Sequence, residues 1–133
     1  MTAVSLVEVC SQCGVPCLGT YRFWCGEEGT KDSVEVDQPT LDEALSELVA
    51  DAVANGAYAA LPDFVRASNE SRDGFASGDA VGLEIADFSH TVRLLGALAA
   101  RSGGRRQSAL VVALERLVAR AEMSADRLFF VDD

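Results

Sequence analysis

All four cysteines of the chain fall between Cys10 and Cys25, in the pattern C-x2-C-x3-C-x7-C. No other feature restricts the fold as strongly, because four soft thiolate donors in one short stretch match the closed tetrahedral shell of structural zinc. Cys10 and Cys13 have the spacing of a metal-binding turn, and Gly14 follows to free the backbone. Cys25 closes an alternating run, Thr20 to Trp24, that would return as a strand and carry the fourth sulfur back to the first two. Gly26 repeats the Cys-Gly pairing. On this reading Cys10, Cys13, Cys17 and Cys25 hold one Zn2+, and four thiolates leave no open position for catalysis. Two disulfides or free thiols, and a redox or catalytic metal, are the alternatives.

The stretch resembles the zinc-ribbon and zinc-knuckle modules, whose usual form is two C-x2-C-G knuckles on two hairpins. Cys10, Cys13 and Gly14 match the first knuckle. Cys25 and Gly26 match the end of the second, where Arg22 stands at the position of the first cysteine and Cys17 is the substitute ligand. The resemblance covers residues 10–26 and implies a variant knuckle with bound zinc. Iron–sulfur, zinc-deaminase and thioredoxin-like spacings are absent.

With 133 residues, 49% of them apolar, the chain has the size and composition of one domain. No apolar run approaches ~18 residues, and Met1 to Val9 lacks a basic region and is interrupted by Glu8. The expectation is a cytoplasmic protein without signal peptide or membrane span, in a compartment where clustered cysteines favour metal over disulfides. Net charge is −10, from 21 acidic and 11 basic side chains. The excess is uneven: residues 1–51 carry −8, residues 52–92 carry −4, and residues 93–133 carry +2. Such a surface repels phosphate backbones, so no direct binding of duplex DNA is expected.

Strands are expected over 3–9, 20–25 and 33–37, the last with Val34 and Val36 inward. Pro39 is read as ending this unit. Thr40 and Glu43 fit a capping box, opening a helix with Leu41, Ala44, Leu45, Leu48, Val49, Ala52 and Val53 on one face and Asn55-Gly56 as its stop. Residues 58–68 read as helical, with Pro62 breaking the run or starting a new helix. A loop around Phe75 spans 69–78. A long helix over 80–101 carries a seam of Val81, Ile85, Phe88, Val92, Leu95 and Ala99, suited to packing within the chain or across a homodimer. The turn at Ser102 to Gly104 leads into a partner helix over 107–123.

Leu128 to Val131 is too apolar for a frayed tail and reads as a buried strand added to the N-terminal sheet, or as a segment docked on another chain. The expected fold is therefore α+β: a small antiparallel, zinc-clamped sheet packed with three to four helices. It forms one domain over 1–133, with a zinc-knuckle β unit (1–38), a helical region (39–126) and a terminal strand (127–133).

Glu43, Glu47 and Asp51 repeat every four residues opposite the apolar face. Like charges at this spacing cost about 0.2–0.5 kcal/mol each, so the stripe reads either as a solvated face or as a docking surface for a partner with a basic surface. His90, the single histidine, flanks the long helix and reads as a half-exposed helical residue. Arg105 and Arg106 follow the turn where a helix N-terminus would begin, and with Gly103 and Gly104 they read either as a plain surface turn or as a site for a phosphate or an acidic peptide. Arg116 and Arg120 extend a modest basic stripe on the last helix. No paired-carboxylate or nucleophile motif is present. The reading is a non-enzymatic interaction module, a regulatory adaptor or inhibitor, including one that imitates the charge of nucleic acid, with a thiol-based redox or zinc sensor as the alternative.

Overall fold

Tyr21, Phe23 and Cys25 alternate with Arg22 and Trp24 along one strand, β2 (Thr20–Cys25), and this alternation gives the sheet its two faces. The computed structural model describes residues 3–7, 12, 14, 19–26, 32–70, 81–102, 104–124 and 127–132. Among them, β1 (Ala3–Leu6), β2, β3 (Ser33–Asp37), β4 (Val81–Leu83) and β5 (Leu128–Asp132) form one sheet in the order β1-β3-β2-β5-β4. Four helices, α1 (Gln38–Ala54), α2 (Asp63–Glu70), α3 (Ile85–Ser102) and α4 (Arg105–Ser124), contribute to the core on one face, with a single 3-10 turn at Tyr58–Ala60.

The fold is α+β, and the sheet is mixed instead of antiparallel. β1 runs parallel to β3, pairing Val4 with Val34 and Leu6 with Val36, while β2 is antiparallel to β3 and β5. A parallel pair needs a long connection, and here all of β2 lies between the two strands in sequence. The terminal strand β5 pairs within the chain, between β2 and β4. The expected zinc clamp rests on Cys10, Cys13 and Cys17, which lie outside the described residues, as does Phe75.

Phe23 is the centre of the core. It is fully buried, with ring centroids 4.9 Å from Phe130, 5.2 Å from Phe88 and 6.1 Å from Phe64. These separations suit tilted aromatic packing. Leu41, Ala44, Leu45 and Leu48 of α1 and Leu110, Leu114, Leu117 and Val118 of α4 close over the same face. The seam residues Phe88, Val92, Leu95 and Ala99 are buried, and α3 packs along α4 inside the chain.

Several boundaries differ from the sequence reading. α1 begins at Gln38, with Asp37 at its N-cap and Pro39 inside the first turn. Proline is tolerated there because its missing N–H would have no helical partner. Strand β3 therefore passes directly into α1, and Thr40 does not cap it. The Gln38 N–H donates to the Gly19 carbonyl at 2.8 Å, fastening this junction to the start of β2. Residues 81–83, expected in the long helix, form edge strand β4, where Val81 favours extended structure and Gly82 disfavours a helix. Finally, α4 starts at Arg105, shortening the turn after α3.

Helix α2 is short and has its N-terminus capped from a distance. The Asp87 carboxylate, in the first turn of α3, accepts the Asp63 N–H at 2.7 Å and the Phe64 N–H at 3.0 Å. Two of the amides that a helix start leaves without partners are satisfied in this way.

Candidate interaction surfaces and metal ligands

The burial of α1 settles which of its side chains the fold uses. Leu41, Ala44, Leu45, Leu48 and Ala52 are buried, whereas Asp42, Glu43, Glu47 and Asp51 are exposed. Glu43 and Glu47 are one turn apart on the solvent side. The other two acids have neighbours. Asp42 accepts the Tyr21 hydroxyl at 2.7 Å, and Asp51 accepts from the Arg101 guanidinium at 2.7 Å. The expected stripe of three is thus an open pair plus one carboxylate bridged to α3. Val53, placed by its spacing on the apolar face, is 61% exposed.

Beside this helix, a hollow of about 390 Å³ lies between α1 and α2, with Asp42, Ser46, Ser68 and Asn69 as its polar walls. Asp42 is engaged by Tyr21, and the Ser68 hydroxyl donates to the Val65 carbonyl at 2.6 Å. Among the described residues, no histidine or cysteine lines it. Near its rim the Tyr58 hydroxyl donates to Glu70 at 2.6 Å and accepts from Asn69 at 3.2 Å. The bond to Glu70 holds the Tyr58 phenol above its ordinary value of 10.0.

Of the four expected zinc ligands, the structure describes Cys25. It ends β2 opposite Leu128, is 2% exposed, and joins the helix-facing core. Its N–H donates to the Asp32 carbonyl at 3.3 Å, and the Gly26 N–H donates to the Arg127 carbonyl at 2.9 Å. Gly14 and Gly26, each directly after a cysteine, have φ of 69° and 83°. Glycine adopts this left-handed conformation freely, and it is strained for other residues. Among the described residues, nothing lies within 4 Å of the place a Cβ on Gly14 would take. A redox-sensing thiol needs solvent access, which Cys25 lacks. Among the described residues no three His, Cys, Asp or Glu side chains cluster as a further metal site.

On the sheet face away from the helices, Trp24 stacks on Phe129 across the β2–β5 pair, with centroids 5.5 Å apart. Arg22 lies 4.9 Å from the Trp24 ring and Arg127 lies 5.5 Å from that of Phe129. Both separations suit cation–π attraction. Alternation in β2 put Arg22 and Trp24 on one face in advance; the pairing with Phe129 depends on a register that the sequence does not state. His90 is half-buried on α3. Arg101, which the sequence reading passed over, lies 50 positions from Asp51, and no local spacing signals such a pair.

No helix among the described residues is long and apolar enough to cross a membrane. Comparison of the chain with protein-family models, with curated proteins and with solved structures gives no match.

Proposed function

We propose that the chain is a non-catalytic protein-interaction domain, a regulatory adaptor or inhibitor, whose acidic helix α1 docks on a basic surface of a partner protein. The supporting observation is that Glu43 and Glu47 project to solvent from a helix whose other side is buried in the core. Their repulsion opposes helix formation, and no described contact of the fold offsets it. A net charge of −10 adds long-range attraction toward a basic partner and disfavours duplex DNA.

Zinc held by Cys10, Cys13, Cys17 and Cys25 belongs to this proposal as a structural element. The left-handed turns at Gly14 and Gly26 are the observation that supports it. When bound, the metal supplies folding free energy to the N-terminal strands. Retention of host proteins by the wild type and by Glu43→Lys/Glu47→Lys, each at low and high salt, tests the function. The proposal expects a basic partner held by the wild type at low salt and lost on charge reversal. Equal retention of every partner by both proteins contradicts it.

A further inference from the structure

A stripe of arginines runs along α4 beside the edge strand β1, in a chain whose net charge is −10. Arg105, Ala109, Ala113, Arg116 and Arg120 recur at helical spacing on one side of α4. Two hollows open between this stripe and the edge of the sheet. One, of about 320 Å³, lies where Leu6 and Val7 approach Arg105 and Ala109. The other, of about 200 Å³, lies where Val4 approaches Ala113, Arg116 and Arg120. Arg120 is engaged by Asp32 at 3.3 Å. Arg105 and Arg116 are exposed and make no ion pair among the described residues.

β1 ends the sheet, and among the described strands it pairs with β3 alone. Val4 and Leu6 turn toward the helix side, half-buried, while Ser5 is exposed. An unpaired edge offers its backbone N–H and C=O groups to any strand that aligns with it.

We infer that β1 and the arginine side of α4 form a docking groove for an extended acidic segment of a partner protein, which adds to the sheet as a further edge strand. Main-chain hydrogen bonds to β1 supply sequence-tolerant attachment, and the two hollows accept apolar side chains from alternate positions. Arg105 and Arg116 select carboxylates, which guanidinium groups bind in fork geometry. The dimensions agree: β1 spans ~13 Å at ~3.3 Å per residue, and Arg105 and Arg116 lie ~16 Å apart along α4 at ~1.5 Å per residue. A segment of about six residues therefore reaches both. A second copy of this chain is a poorer occupant, because two-fold pairing of β1 with β1 sets like-charged arginines against each other. The groove has the opposite charge to the acidic side of α1 and needs no contribution from it.

The full-length chain is titrated with a labelled hexapeptide of alternating glutamate and valine, and with its lysine–valine counterpart. The glutamate peptide should bind at least about tenfold more tightly than the lysine peptide. Arg105→Glu/Arg116→Glu, checked for native circular dichroism, should weaken it by a similar factor. Glu43→Lys/Glu47→Lys should not weaken it, which separates failure here from failure of the α1 proposal. N-methylation of alternate peptide amides should abolish binding in one of the two possible phases. Equal affinity for the two peptides, no binding of either, unchanged binding by the folded arginine variant, or full binding in both methylation phases would overturn the inference.

Discussion

The Arg101 guanidinium, in the last turn of α3, donates to the Asp51 carboxylate at 2.7 Å and joins two helices across 50 positions of sequence. Both side chains remain more than half exposed, so a double-mutant cycle on stability should give a coupling of only about 0.2–1 kcal/mol. Asp51 is screened by this partner, whereas Glu43 and Glu47 are open. Asp51→Ala should therefore slow partner association less than Glu43→Ala or Glu47→Ala. Equal slowing by all three would show that the bridge leaves the Asp51 charge available for docking.

Asp87 holds the start of α2 through two backbone amides. Asp87→Ala should cost about 1–2 kcal/mol in urea unfolding, as loss of a good helix cap does. Amide exchange at Phe64 should quicken as the first turn of α2 frays. An unchanged exchange rate would mean that packing of Phe64 alone secures this turn.

Asp37 is fully buried at the junction of β3 and α1, and burial raises its carboxyl above the ordinary value of 3.8. With the folded-state value raised, the folded chain binds this proton more tightly than the unfolded chain. Its contribution to stability therefore grows as pH falls through the folded-state value, is complete below the unfolded value near 3.8, and is lost as pH rises. Urea unfolding between about pH 7 and about pH 4 should show wild type gaining on Asp37→Asn as the pH drops. A relative loss over that window would mean that neighbouring donors outweigh burial.

Purified under reducing conditions, the chain should carry one zinc per molecule, with Cys25 among the ligands. Chelation or Cys25→Ser should destabilise the β2 end of the sheet, because zinc affinity is coupled to folding. A folded, reduced sample that contains no metal by elemental analysis would remove zinc from the account.

Local patterns carried the sequence reading furthest where one element supplies its own evidence. Alternation put Phe23 and Trp24 on opposite faces of β2, and the apolar run at Leu128 to Val131 marked a buried strand. Pairings set by distant segments were not legible: β1 runs parallel to β3, and Val81 to Leu83 form an edge strand because β5 is there to receive them. The start of α1 was misread because Pro39 suits a helix's first turn as well as a strand's end. The acidic stripe was visible in its spacing, but the Arg101 partner of Asp51 was not, because α1 and α3 meet only in the folded chain. The arginine side of α4 could be seen as a basic stripe, while its position beside edge strand β1 needed the sheet order.

The central claim is that Glu43 and Glu47 steer a basic partner onto α1. Once a partner has been retained in the salt comparison, its association rate with wild type and with Glu43→Lys/Glu47→Lys should be followed by stopped flow over a range of ionic strength. The account predicts that reversal slows association by about tenfold or more at low salt and flattens or inverts the salt dependence, with circular dichroism unchanged. Equal rates and equal salt slopes for the two folded proteins would contradict it.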